Sequence, residues 1–189
     1  MSSQTFIQCV QTANGAGSIL AGTGGPTSIL PLSALYTIVT GSATSLYYVG
    51  QRFRIKAYGQ VSTAVQASHT LVLALYFGAV IVATTNAMPM IQAVRTNVTW
   101  ELEFECTMRA MSGSASNNIY FGHFLSEASL GGIAPASGET GFYCFPPAAA
   151  VSSNYDPTTN LQVDLRATWA SANAADSVQL LDYSLEIMN

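Results

Sequence analysis

Val98-Thr-Trp-Glu-Leu-Glu-Phe-Glu-Cys-Thr-Met108 is the stretch whose reading decides the fold class. Trp100, Leu102, Phe104, Cys106 and Met108 share one parity, and Glu101, Glu103, Glu105 and Thr107 share the other. A strand sends successive side chains to opposite faces, so this segment predicts one dry face and one wet or paired face. A helix, with 3.6 residues per turn, would scatter the glutamates around its axis.

Arg52 to Gly59 repeats the pattern, with Phe53, Ile55 and Ala57 facing in and Arg52, Arg54 and Lys56 facing out. Half of the chain's six basic residues therefore sit on one strand face, and three of its ten acids sit on the other. Opposite charges on adjacent strands attract and help fix register. Arg52, Arg54 and Lys56 are accordingly expected to meet Glu101, Glu103 and Glu105, within one subunit or across an interface.

Period-two segments recur along the chain at Thr5–Gln11, Leu35–Val39, Leu46–Val49, His69–Phe77, Val80–Thr84, Asn118–Leu125, Leu161–Trp169 and Val178–Ile187. Gly78 marks a hairpin, Gly122 marks a bulge, and the phase slip between Leu180 and Leu181 marks another. The total is about nine or ten strands and no convincing helix, with room for one short helix near Ser33–Tyr36 or Ser126–Leu130. Many short strands with Gly- and Pro-rich connections predict an all-β, antiparallel sandwich or barrel. Residues 1–40 are read as an N-terminal arm or extra strands with a Gly-rich linker, and 41–189 as the main domain. Ala13 to Pro31, rich in Gly, Ala, Ser and Thr, is expected to be a flexible linker or an arm that orders on a neighbour. Leu130 to Pro157 reads as a long loop, with Phe142, Tyr143, Phe145 and Tyr155 as a contact patch or a lid over one end of the sandwich.

Composition narrows the function. Only 8% of the 189 residues are charged, while 49% are hydrophobic; an ordinary soluble domain carries about 25% charge. Such a surface suits coverage by copies of the chain or by a partner. Six basic residues cannot form a phosphate-tracking stripe, so nucleic acid is not an expected partner. Leu71 to Thr85, the longest apolar run, is broken by Gly78 and too short for a spanning helix, so no membrane partner is expected. Met1-Ser-Ser-Gln-Thr-Phe has no basic or apolar leader region and is not expected to be a signal peptide.

Chemistry-bearing motifs are sparse. Cys9, Cys106 and Cys144 are scattered and odd in number, so no disulfide framework follows, and Cys106 reads as a buried small hydrophobe. His69 and His123 lack the paired cysteines of a zinc site, and His69, at a strand start, is expected to be solvated or capping. No Gly-x-Ser-x-Gly elbow is present. Glu101, Glu103 and Glu105 lie about 6.6–7 Å apart along one strand face, a spacing that suits ion pairs at least as well as acid–base catalysis. Gly15-Ala-Gly17 and Gly22-Thr-Gly24-Gly25 lack the Lys-Ser or Lys-Thr of a phosphate loop. No enzyme, cofactor or metal is expected.

One resemblance stands on several segments in order. They are Gly50-Gln-Arg-Phe-Arg-Ile-Lys-Ala-Tyr-Gly59, Leu71-Val-Leu-Ala-Leu75 with Gly78, Trp100-Glu-Leu-Glu-Phe104 with Thr107-Met-Arg109, Leu161-Gln-Val-Asp-Leu165 with Trp169-Ala-Ser-Ala172, and Leu185-Glu-Ile187. Together the pattern resembles small jelly-roll structural proteins of tailed bacteriophages, over roughly Gly50 to Ile187. The resemblance implies a jelly-roll β-sandwich and a non-enzymatic virion component, a capsid decoration or cement protein made in the host cytoplasm. It also implies a homotrimer on the capsid surface, with the major capsid protein as partner. The alternative it leaves open is a receptor- or glycan-binding head of a tail fibre or spike. It carries over no functional residue.

Overall fold

The computed structural model describes residues 7–22, 24–39, 48–65, 69–111, 116–130, 141–170 and 173–188. Thirteen strands run through them: β1 (Ile7–Thr12), β2 (Leu20–Ala21), β3 (Gly24–Ser28), β4 (Tyr36–Ile38), β5 (Arg52–Thr63), β6 (Thr70–Phe77), β7 (Val80–Thr84), β8 (Met88–Pro89), β9 (Arg95–Ala110), β10 (Asn117–Leu125), β11 (Phe142–Val151), β12 (Leu161–Ala170) and β13 (Ser177–Met188). The one helical turn among these residues is a 3₁₀ turn at Leu32–Ala34. No helix among them is long and apolar enough to cross a membrane.

The strands form two antiparallel sheets. The larger runs β1-β13-β5-β9-β10-β11, with β2 also on β13; the smaller runs β3-β12-β6-β7, with β4 on β12 and β8 on β6. Take β1, β3, β5, β6, β7, β9, β12 and β13 as eight strands in chain order. The larger sheet then holds the first, eighth, third and sixth, and the smaller holds the second, seventh, fourth and fifth. That order is the jelly roll. The β10–β11 hairpin widens the larger sheet beyond it.

The alternating segments build the core. Trp100, Leu102, Phe104, Cys106 and Met108 of β9 are buried, as are Phe53, Ile55 and Ala57 of β5. Facing them from the smaller sheet are Leu71, Leu73, Leu75 and Phe77 of β6 and Val163, Leu165, Ala167 and Trp169 of β12. Phe53 meets Phe77 at 5.2 Å between ring centroids, which ties the two sheets near one end of the sandwich. The slip in β13 is a register shift between Leu180 and Asp182 against β5. The β10–β11 register shifts between Tyr120 and Gly122.

Several expectations are corrected. Residues 13–22 and 24–31 are not a flexible linker. Ala13 and Gly17 donate backbone hydrogen bonds to Tyr183 and Leu180 (both 2.9 Å), Ile29 donates to Leu165 (3.0 Å), and Ile29 and Leu30 are buried. A Cβ on Gly17 would lie 1.6 Å from the Ile29 carbonyl oxygen, so its glycine is needed for close backbone contact. The N-terminal segment thus supplies β1–β4 to the edges of both sheets; the expected boundary at residues 40 and 41 lies outside the described residues. Tyr48 and Val49 form a turn, closed by Gln51 N–H to Tyr48 O at 3.0 Å, instead of a strand; Leu46 lies outside the described residues. Within the expected loop at 130–157, Phe142–Val151 is the edge strand β11, because Phe145 reaches the core and packs on Phe104 at 4.9 Å; residues 131–140 lie outside the described residues. His69 is buried, not solvated, with Nδ1 3.1 Å from Asp176 Oδ2 and its Nε2–H donating to the Ile91 carbonyl at 2.8 Å.

The three thiols separate by burial, with Cys106 buried and Cys9 and Cys144 exposed. Burial drives the Cys106 thiol far above the ordinary thiol range, because a thiolate there would be stripped of water. A thiol-reactive dye is therefore expected to label two cysteines of the folded protein rapidly, and the third only on unfolding. Rapid labelling of all three would contradict this packing.

Candidate functional site

The outer face of the larger sheet collects nearly every charged group singled out in the sequence. Strand registers arrange it as four rows running from β13 through β5, β9 and β10 to β11. One row reads Met188–Arg52–Thr107–Ile119–Val151. The next reads Glu186–Arg54–Glu105–Phe121. Below it come Ser184–Lys56–Glu103–His123–Cys144 and Asp182–Tyr58–Glu101–Leu125–Phe142. The β13–β5–β9 half is ionic and polar. The β10–β11 half is apolar, with Phe121, Leu125, Phe142 and Val151 exposed.

Charge pairing fills the ionic half. Arg52 pairs with Glu105, and Lys56 Nζ lies 3.8 Å from Glu103 Oε2. Arg54, although in register with Glu105, turns the other way and donates from Nε and Nη2 to Glu186 Oε2 at 2.9 and 2.6 Å. Glu186 thus joins the ladder although sequence reading does not single it out; its parity between Leu185 and Ile187 is the available signal. Glu101 makes no ion pair among the described residues. These partly exposed pairs each contribute about 0–1 kcal/mol and set register more than stability.

The row ending in Phe142 opens into a cleft at one end of the face. Its walls include Tyr58, Thr99, Glu101, Leu125, Ser126 and Glu127. Partial burial, then the charges of Glu101, Glu103, Asp182 and Glu186, hold the Tyr58 phenol above its ordinary range. Tyr58 therefore stays a neutral hydroxyl donor with an accessible ring. The cleft brings together an aromatic plane with a phenol hydroxyl, an apolar side chain and carboxylate acceptors, while the buried Ser126 hydroxyl donates to the Thr99 carbonyl at 2.9 Å and braces the wall.

The expected aromatic contact loop is not assembled. Phe142 is exposed on the face and stacks on His123 at 5.7 Å, and Tyr143 is half-buried. Phe145 and Tyr155 are core residues, Tyr155 meeting Phe77 edge-on at 5.4 Å. β11 alternates regularly from Phe142 to Phe145, so these two, three positions apart, fall on opposite faces. Sequence reading misses Tyr58, because one aromatic among charged neighbours shows no pattern until the register places it beside Glu101.

Among the described residues, no group of three or more His, Cys, Asp or Glu side chains could hold a metal ion. Both ring nitrogens of His69 are engaged by Asp176 and a carbonyl, so it has none to offer a nucleophile.

No protein-family model and no curated protein matches the chain. Among solved structures, it is similar to the CBM2 module of the Lactobacillus casei BL23 phage J-1 evolved Dit. The two share 11% identity, with 98% of each chain covered and a TM-score of 0.39.

Proposed function

We propose that this chain is a non-catalytic module of a bacteriophage particle that works by surface recognition, and that the ligand recognised is a glycan. The observation that carries the proposal is the Tyr58 cleft. Sugars present alternating C–H patches and hydroxyls. An accessible aromatic ring takes the former, and carboxylates and hydroxyls take the latter. Glu101 and Glu127 accept, Tyr58 donates, and Leu125 walls the apolar side. Jelly rolls serve both as lectin domains and as viral capsid proteins, so the fold accommodates the role without assigning it. The resemblance over Gly50 to Ile187 supports the phage setting.

The expected test is a glycan array. Wild-type protein should bind a subset of sugars, and Tyr58→Ala should weaken that binding about tenfold or more, as loss of a stacking aromatic does. A blank array, or binding indifferent to Tyr58→Ala, would overturn the reading. Capsid decoration, with the major capsid protein as partner and a homotrimeric state, is the second reading. The exposed apolar strip of Phe121, Leu125, Phe142 and Val151 favours it, because such a strip suits a protein surface.

A further inference from the structure

We infer that the glycan held by the Tyr58 cleft is an oligosaccharide lying across the strands, with Phe142 as a second stacking platform at the far end of the same row. The inference rests on the glycan reading of that cleft, and adds the ligand's length, its direction and a residue that selects for both.

Strand register places the two rings. Tyr58 on β5, Glu101 on β9, Leu125 on β10 and Phe142 on β11 are successive partners in one row, all on the outer face. Tyr58, Leu125 and Phe142 are 39%, 45% and 43% exposed. Three strand spacings separate Tyr58 from Phe142, about 14 Å in all. A single sugar stacked on one ring does not reach the other, whereas a chain of sugars along the row reaches both. The strip between the rings suits the edges of such a chain. Leu125 meets C–H patches, and Glu101, which makes no ion pair among the described residues, accepts from hydroxyls.

Phe142 is also preorganised. Its ring stacks on His123 with 27° between the planes, and the backbone beneath it pairs regularly with β10. A ring already restrained loses less freedom on binding. Phe121, another exposed aromatic of this face, stands two rows away on the Glu105 row, out of line with Tyr58.

Charge selects among ligands of this length. A single nucleic-acid strand also stacks on spaced rings, but its phosphates need cations. The lysine and arginine flanking this row are engaged, Lys56 with Glu103 and Arg95 with Glu127, each at 3.8 Å. The row itself carries Glu101 and Asp182, neither in an ion pair among the described residues. A polyanion is therefore repelled, while a neutral oligosaccharide brings hydroxyl donors that a carboxylate accepts strongly.

A glycan array printed as length ladders tests this, running from monosaccharide to hexasaccharide of glucose, galactose and N-acetylglucosamine. Wild type should bind the longer members of a ladder about tenfold or more tightly than its monosaccharide, because the second contact forms within an already bound molecule. Phe142→Ala should bring the longer members down to the level of the monosaccharide, and Phe142→Tyr should keep the gain. Phe121→Ala should leave the ladder as in wild type, and Tyr58→Ala should weaken every length. Unchanged melting temperatures of the variants would show that folding is intact. Equal binding at every length by wild type, a ladder indifferent to Phe142→Ala, or the same loss with Phe121→Ala would overturn this inference and leave the Tyr58 reading standing. A blank array, or a ladder indifferent to Tyr58→Ala, would overturn that reading and this inference with it.

Discussion

Trp100→Ala is expected to destabilise the protein by about 3–5 kcal/mol, the range for removing a large buried aromatic. Trp100 points inward from β9, is 2% exposed, and stacks on Phe124 at 6.0 Å between ring centroids. Beneath it lies Gly59, where a Cβ would come within 2.4 Å of the indole ring. The strand opposite is therefore shaped to the ring, and collapse into the vacated space is resisted by backbone on one side and Phe124 on the other. Trp169→Ala, from the facing sheet and also 2% exposed, should cost a similar amount. The indole nitrogen of Trp100 finds no acceptor among the described residues. Trp100→Phe therefore forfeits volume but no hydrogen bond, and should cost roughly 1–2 kcal/mol. Denaturant melts followed by circular dichroism measure all three. A near-neutral Trp100→Ala would mean that the indole does not fill the space between the sheets.

That burial is legible in the sequence, and the reason is local. A strand whose two faces meet different solvents must alternate, and Val98 to Met108 alternates without interruption. The same logic places Phe53, Ile55 and Ala57 inside and Arg52, Arg54 and Lys56 outside. Charge suggests which strands are neighbours, but it does not fix rotamers. Arg54 lies opposite Glu105 in register, yet its guanidinium turns to Glu186 on the strand at its other side. Two acids flank β5, and sequence alone does not say which a forked cation will choose.

β11 is hidden for a different reason. Pro146 and Pro147 lack donors and break alternation, so Phe142 to Val151 reads as loop. An edge strand tolerates both because they fall in the register break between the Phe145 and Ala150 pairings, where β10 calls for neither missing N–H, and prolines at an edge discourage unwanted pairing. The cleft is equally hidden. It depends on Tyr58, Glu101 and Leu125 falling in one row of three strands, and rows are a property of register, not of any single segment.

The second large effect concerns a pair that spacing could not reveal. Asp176 lies 107 positions from His69 in the chain, yet the two side chains meet in the interior, both fully buried. Asp176 Oδ1 also accepts the Ala64 backbone N–H at 2.7 Å. One carboxylate thus satisfies two groups, one just after β5 and one just before β6, and holds the β13 entry against them. Asp176→Ala removes an acceptor that both groups need and leaves them dry. Breaking a buried hydrogen-bonded pair from one side costs about 3–5 kcal/mol, far more than such a pair contributes net. Asp176→Asn keeps an oxygen for Ala64 and offers an amide to Nδ1, which can accept it while Nε2–H continues to donate to Ile91. That variant should lose about 1 kcal/mol, because neutral hydrogen bonds replace charge-assisted ones. The contrast is the test: equal losses for Ala and Asn would mean that the carboxylate charge matters and the hydrogen-bond pattern does not. Small losses for both would mean that water reaches the site and the junction between β5, β6 and β13 is not closed.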